Sequence, residues 1–84
     1  MQKIIQSYIW HDGKAFFVST INRESSAMYG GTYAETMVWE WDEKTRERGK
    51  IVGQDEGSAD SIYAHQRMCK RIHETGKTSA DDEE

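Results

Sequence analysis

A short turn signal between two apolar stretches constrains the fold more than any other feature of the chain. The Asp-Gly pair at 12–13 favours the positive φ angles of a two-residue hairpin turn, and it predicts strands over 3–10 and 15–21. Because His11 and Lys14 then flank the turn, the numbers of opposite residues sum to 25. The turn therefore sets the register of this first hairpin.

Both faces of the predicted hairpin are apolar, which is unusual for a hairpin at a protein surface. Alternation along a strand sorts its side chains onto two faces. One face carries Ile5, Ile9, Phe16 and Val18, and the other carries Ile4, Tyr8, Trp10, Phe17 and Ile21. This pattern predicts either a sheet that is covered on both sides or one side that is kept for a partner.

Two further strands are predicted after a polar loop over 22–32. The stretch 33–42 alternates strongly, and the charged segment that follows it reads as a loop ending near residue 49. One side of this third strand carries Tyr33, Glu35, Met37, Trp39 and Trp41. A short fourth strand over 50–54 then pairs with the third to make a second hairpin.

A helix is predicted over 59–75, with Ser58 or Asp60 as its N-terminal cap and Gly76 as its end. Its apolar arc holds Ala59, Ile62, Cys69 and Ile72. We therefore predict an α+β fold in the order β-β-β-β-α. In this fold a four-stranded antiparallel sheet, made of two β-hairpins, carries one C-terminal helix packed on one face.

We expect one domain over 1–76 and a disordered acidic tail over 77–84. Lys and Arg number 11 and Asp and Glu number 15 in the 84 residues, which gives a net charge of −4. Four of those acids are Asp81, Asp82, Glu83 and Glu84, so the rest of the chain holds 11 residues of each sign. The tail has no apolar side chain larger than alanine, so burial cannot offset the entropy of ordering it.

One helix is too short to cover both faces of this sheet, since about 17 residues span roughly 25 Å. We expect the aromatic face to stay open for a protein partner or a second copy, with the smaller aliphatic side chains beneath the helix. The alternatives are the reverse arrangement, or a cover made by the 22–32 loop or by long Lys and Glu side chains. The candidate partner-binding residues, two of them in that loop, are Tyr8, Trp10, Phe17, Arg23, Tyr29, Tyr33, Trp39 and Trp41.

One stripe of the predicted helix carries residue types that bind zinc. His65, Cys69 and His73 are spaced four apart. The two histidines are, however, about 12 Å apart along a straight helix, so the three side chains cannot surround one ion. We therefore predict no metal site, and we interpret Cys69 as a core residue flanked by two half-buried histidines.

No other cluster predicts a catalytic or cofactor-binding site, and we expect a protein that is not an enzyme. His11 and Asp12 are neighbours, but adjacent residues at a strand end point to opposite sides. Glu35 shares a side with Trp39, yet no second carboxylate has a predictable separation from it. The glycine pair at 30–31 lacks the lysine and the third glycine of nucleotide-binding loops.

The alternative function is binding of single-stranded nucleic acid. Such binders combine cations with aromatic side chains on a sheet, and Lys44, Arg46 and Arg48 lie near the predicted aromatic strand. Acidic residues such as Asp42 and Glu47 are interleaved with them. Because this mixed charge is typical of an ordinary solvated surface, a protein partner is the favoured prediction.

The chain is expected in the cytoplasm. Its single cysteine cannot form an internal disulfide, which is typical of proteins of a reducing compartment. It has no apolar run of the roughly 20 residues that a membrane helix needs, and its first residues do not resemble a signal peptide.

Together these patterns predict a small protein-binding module that acts through an aromatic sheet face and the 22–32 loop. In size and character the chain resembles small inhibitors of host defence complexes that phages and mobile elements encode, anti-CRISPR proteins among them. The resemblance implies an inhibitory role for the module, exerted on such a complex.

Overall fold

The structure is a computed structural model that describes residues 4–24, 32–58 and 60–78. Four strands precede one helix, and the elements are β1 (Ile4–His11), β2 (Lys14–Glu24), β3 (Thr32–Asp42), β4 (Glu47–Ser58) and α1 (Ser61–Thr75). The strands form one antiparallel sheet in the order β1-β2-β3-β4. The predicted α+β fold, with its order β-β-β-β-α, is confirmed.

The first hairpin has the predicted turn and register. Asp12 and Gly13 both have positive φ angles, of 53° and 77°. His11 lies opposite Lys14, and the pairing runs without interruption to the far end of β1. Local turn chemistry therefore sets which side chains share a face in the first half of the sheet.

The second hairpin is longer than predicted, because β4 has 12 residues rather than the five of 50–54. Its turn is also tighter than predicted. The carboxylate of Asp42 accepts hydrogen bonds from the backbone N–H groups of Lys44 and Thr45, at 2.9 and 3.3 Å. Arg46 adopts a φ of 61° and donates its N–H to the carbonyl of Asp42 at 2.7 Å. The predicted charged loop is therefore a compact turn.

Both ends of α1 carry caps of the predicted kind. The side chain of Asp60 accepts a hydrogen bond from the N–H of Tyr63 at 3.1 Å. Gly76 ends the helix with a φ of 76°, and its N–H donates to the carbonyl of Ile72 at 2.8 Å. These bonds satisfy backbone groups that a helix leaves unpaired at its termini.

The core lies between α1 and one face of the sheet. Its buried apolar side chains are Phe16, Val18, Val38, Met68 and Ile72. The predicted apolar arc of the helix is wrong at Ile62, which is 50% exposed, whereas Met68 is fully buried. The helix is rotated so that Ala64, Met68 and Ile72, each four residues apart, form the buried stripe.

The last described residues lie against β4. Thr78 donates its hydroxyl to the carbonyl of Val52 at 2.6 Å. The backbone of Thr78 occupies the space that a side chain at Gly53 would need. The described fold therefore includes two residues of the predicted 77–84 tail, and residues 79–84 lie outside the described ranges.

The glycine that ends α1 should be harder to replace than the glycine of the first turn. Both have a φ near 76°, where a side chain adds backbone strain. A Cβ at Gly76 would also lie 2.7 Å from the ring of His11, while a Cβ at Gly13 would meet nothing within 4 Å. We expect Gly13→Ala to cost about 1 kcal/mol and Gly76→Ala about 2 kcal/mol. Urea unfolding measures both, and equal losses would contradict the close contact with His11.

Candidate docking face

The sheet face opposite α1, here called the open face, carries the aromatic side chains. Phe16, Val18 and Val38 point to the helix, so their strand neighbours Phe17 and Trp39 point away from it. Among the described residues, no helix or strand covers this second face. Of the two predicted arrangements, the one with aliphatic side chains beneath the helix is observed, and its reverse is wrong.

Four rings on the open face form one connected aromatic cluster: Tyr8, Phe17, Trp39 and Trp41. Phe17 lies at its centre, with ring centroids 5.3 Å from Tyr8, 5.7 Å from Trp39 and 5.9 Å from Trp41. Tyr8 and Trp41 also meet at 4.8 Å. These separations are within the range of favourable aromatic pairs. The cluster is thus a packed patch whose rings hold one another in place.

The cluster is accessible at its β1 side. Phe17 is only 7% exposed, but Tyr8 and Trp10 are each 47% exposed. Trp10 lies opposite the small, buried Ala15, and its indole N–H donates to the carboxylate of Glu43 at 2.6 Å. A large ring is therefore held in one orientation while half of its surface contacts solvent.

Arg48 covers the β4 side of the cluster. Its guanidinium lies 4.8 Å from the ring centroid of Trp39 and 5.9 Å from that of Phe17. Attraction between a cation and an aromatic ring is stronger where the pair is shielded from water. The position follows from the pairing of Arg48 with Trp41 across β3 and β4.

A shallow groove runs along the accessible part of the cluster. It has a volume of about 560 Å³ and is open to solvent on one side. Its lining residues are Gln6, Tyr8, Phe17, Trp41, Arg46, Glu47 and Arg48. The floor is aromatic and the rim carries both positive and negative side chains, as in the anatomy of many protein interfaces.

The other end of the open face is polar. Arg23 and Glu35 form an ion pair at 3.2 Å, and the second oxygen of Glu35 accepts a hydrogen bond from Gln54 at 3.3 Å. Glu35 therefore serves as a paired surface carboxylate rather than as an isolated acid beside Trp39. This end presents partnered charges and no ring cluster.

The structure divides the predicted partner-binding residues into two groups. Five of them share one end of the open face, namely Tyr8, Trp10, Phe17, Trp39 and Trp41. Arg23 and Tyr33 pair with each other on the same face, six residues further along their strands, which is about 20 Å away. The predicted 22–32 loop is wrong at Arg23, which belongs to β2. Tyr29, with most of that predicted loop, lies outside the described residues.

Sequence reasoning missed the role of Arg48 at this face. It placed Arg48 in a loop, whereas Arg48 belongs to β4 and covers two rings. The missed signal is Asp42, whose side chain can bond backbone N–H groups two and three residues later and so mark a tight turn. A strand restarting soon after Asp42 would have placed Arg48 opposite Trp41.

A buried polar chain on the helix side links α1 to three strands. His65 is 4% exposed, and its two ring nitrogens lie 2.8 Å from the hydroxyls of Ser7 and Thr20. Thr20 also meets Thr36 at 2.8 Å. Burial lowers the pKa of His65, so the neutral ring is favoured.

The structure places the stripe of His65, Cys69 and His73 differently from the prediction of two half-buried histidines, because His65 is buried and His73 is exposed. His65 uses both ring nitrogens within the polar chain, and His73 is exposed. Burial raises the pKa of the Cys69 thiol, and a hydrogen bond from Ser7 only partly offsets this shift. The described residues include no group of three or more side chains that could hold a metal.

His11 also has a structural task. Its Nδ1–H donates to the carbonyl of His73 at 3.0 Å, which joins the end of β1 to the last turn of α1. The carboxylate of Asp12 lies 3.8 Å from the other ring nitrogen and is almost fully exposed. His11 therefore connects the first turn to the end of the helix.

No protein-family model matches the chain, and neither a curated protein nor a solved structure is significantly similar to it. Within the described ranges, no helix is long and apolar enough to cross a membrane.

Proposed function

We propose that the chain is a non-enzymatic binding module that docks the aromatic end of its open face onto a protein partner. The observation that carries the proposal is the connected aromatic cluster opposite the helix, in which Tyr8 is 47% exposed and beside which Trp10 is equally exposed. Exposed patches of this kind usually mark interaction sites. The groove beside Tyr8 and Trp41 offers a partner side chain a preformed place to bind.

The composition of this end suits a protein surface. Trp, Tyr and Arg are the residue types enriched among the side chains that dominate binding energy. Here they are packed against one another before any partner arrives, so little side-chain freedom remains to be lost on binding. The mixed charges of Arg46, Glu47 and Glu43 at the rim would select a partner with complementary charges around an apolar centre.

Single-stranded nucleic acid fits this end less well. Base stacking needs a free ring face, and the guanidinium of Arg48 already lies over Trp39. Among the described residues of the open face, the cations Arg23, Arg46 and Arg48 are balanced by nearby carboxylates such as Glu35 and Glu47. A phosphate backbone requires an excess of positive charge, which this face lacks.

The first partner class to test is a host defence complex of the kind that anti-CRISPR proteins inhibit. The support for this choice is the resemblance in size and character to such inhibitors. A preformed aromatic docking end on a small domain could block a functional surface of a larger assembly by occupying it. The test is inhibition of purified defence complexes by the full chain.

Replacing the exposed ring of Trp10 should abolish or greatly weaken docking. Trp10→Ala removes an indole from the accessible edge and leaves the core unchanged. The matched control is Tyr63→Ala, which removes an equally exposed ring, 56% exposed, from α1 on the other side of the molecule. We expect Trp10→Ala to weaken partner binding by about 30-fold, or roughly 2 kcal/mol, and Tyr63→Ala to leave it unchanged.

The measurement begins with parallel capture from lysate on the wild-type chain and both variants, followed by titration of the retained protein. A partner lost only with Trp10→Ala supports the proposal. A partner that survives Trp10→Ala, or is lost equally with Tyr63→Ala, contradicts it. A single-stranded oligonucleotide that shifts at low salt and is released by Trp10→Ala would favour the nucleic-acid alternative instead.

A further inference from the structure

The outer edge of β1 lacks the features that keep edge strands from pairing with other chains. β1 is eight residues long, and Ile4–His11 contains no Asp, Glu, Lys, Arg or Pro. Its register with β2 is unbroken, so no bulge distorts the edge. Natural edge strands usually carry such features because their unpaired backbone groups otherwise bind a further strand.

The opposite edge, on β4, has several of these features. Glu47, Arg48 and Lys50 lie in the strand, and its register with β3 shifts at three places. The hydroxyl of Thr78 also binds the carbonyl of Val52. The β4 edge is thus protected, whereas no segment of the described ranges pairs with the outer edge of β1.

The turn fixes which backbone groups of β1 face outward. His11 and Lys14 flank a two-residue turn and form its hydrogen-bonded pair. Because hydrogen-bonded and non-bonded pairs alternate along antiparallel strands, the odd-numbered residues of β1 bond to β2. The N–H and C=O groups at the even positions therefore point to the open edge, and these positions are Ile4, Gln6, Tyr8 and Trp10.

We propose that β1 pairs antiparallel with β1 of a second copy of this chain, about a two-fold axis beside Ser7. A two-fold axis perpendicular to the sheet puts the helix sides of both copies on the same side of the joined sheet. Odd-numbered residues of β1 can therefore lie opposite only odd-numbered residues of the partner's β1, and even-numbered residues opposite even-numbered ones. When the axis passes beside Ser7, every residue of 4–10 lies opposite a residue of the same segment in the second copy. Ser7 then opposes the partner's Ser7 between two sets of backbone hydrogen bonds.

This register matches side chains of similar kind on both faces. Ile5 opposes the partner's Ile9 on the helix side, and Ile4 opposes the partner's Trp10 on the open face. No pair brings like charges together, and apolar cross-strand pairs stabilise a sheet. Centring on Tyr8 instead would place Ile4 opposite a turn residue and leave fewer bonded pairs.

The resulting dimer has one continuous eight-stranded sheet with both helices on the same side. The two Tyr8 side chains then lie at diagonal positions on either side of the axis, whereas the two Trp10 side chains lie at opposite ends of the paired strands. The inference does not depend on the proposed function, because it rests on the backbone edge and not on a partner at the open face. It differs from stacking of two open faces, in which the β1 edges remain free.

The first test compares Gln6→Pro with Gln6→Ala in the full chain. Proline at position 6 removes an N–H that points to the open edge and none that bonds to β2. Sedimentation from micromolar to submillimolar concentration should give twice the 9.7 kDa chain mass for the wild type and for Gln6→Ala. Gln6→Pro should stay folded but shift towards the monomer at the lower concentrations, with a dissociation constant raised by about tenfold or more.

A wild-type chain that remains a monomer throughout this range overturns the inference. So does a folded Gln6→Pro variant that dimerises like the wild type, which would indicate association through another surface. Circular dichroism reports whether the variant is folded.

A cross-link tests the register without any proline. In a Cys69→Ala background, Ser7→Cys should form an intermolecular disulfide under mild oxidation, because non-bonded cross-strand pairs bring Cβ atoms within reach. Tyr8→Cys in the same background should cross-link far less. Cross-linking of Tyr8→Cys alone, or of neither variant, overturns the proposed register.

Discussion

Met68→Ala should lower the free energy of unfolding by about 3 kcal/mol, a large loss for a single truncation. Met68 is fully buried and lies in the core cluster with Ile72, Val18 and Val38. The substitution removes apolar contacts from both layers and leaves a cavity that a sheet and a single helix can only partly close. Equilibrium urea unfolding gives the value.

The control is Ile62→Ala, six residues earlier on the same helix. Ile62 is 50% exposed, so its truncation should change stability by less than about 0.5 kcal/mol. The pair also tests the rotation of α1 about its axis. Equal losses from the two variants would mean that the helix presents a different stripe to the sheet.

Acidification should destabilise the fold through His65. Burial lowers the pKa of His65 from its ordinary value of 6.5, so above that pH the ring is neutral in both the folded and the unfolded chain. Below about pH 6.5 the unfolded chain binds a proton at His65 that the folded chain does not. Stability is therefore full at neutral pH and falls by up to about 1.4 kcal/mol per pH unit until the folded pKa is reached.

His65→Gln isolates this contribution from that of the carboxylates. Glutamine retains a donor and an acceptor for Ser7 and Thr20 but does not titrate. Urea unfolding between pH 5 and 7.5 should give a steeper loss of stability for the wild type than for the variant. Parallel profiles for the two proteins would show that His65 does not couple protonation to folding.

Local chemistry explains why the register of the first hairpin was predictable to the residue, although β2 runs three residues beyond its predicted end. The Asp12-Gly13 turn leaves a single favourable register, and alternation then assigns each side chain to a face. The caps of α1 were equally predictable from the sequence, because Asp60 and Gly76 form hydrogen bonds with residues three or four positions away.

The features that sequence reasoning missed have two causes, a contact between distant segments in α1 and a local turn before β4. The rotation of α1 reflects His65, a polar residue that becomes a core residue only because Ser7 and Thr20 supply its hydrogen bonds. The true start of β4 depends on the turn at Asp42, whose signal is a side-chain bond rather than a glycine.

The candidate site was predictable in composition but not in extent. Alternation alone grouped Tyr8, Phe17 and Trp39 on one face, and the structure places them in contact. The same alternation could not show that Arg23 and Tyr33 lie at the far end of the strands. Residues that alternation assigns to the same face can still lie far apart along the strands.

All three tryptophans of the chain lie on the open face, and the helix side has none. Intrinsic indole emission therefore reports on the proposed docking surface. A ligand that binds to these rings should change the wavelength or the intensity of that emission directly. Titrations can thus follow occupancy of the face with unmodified protein and no attached dye.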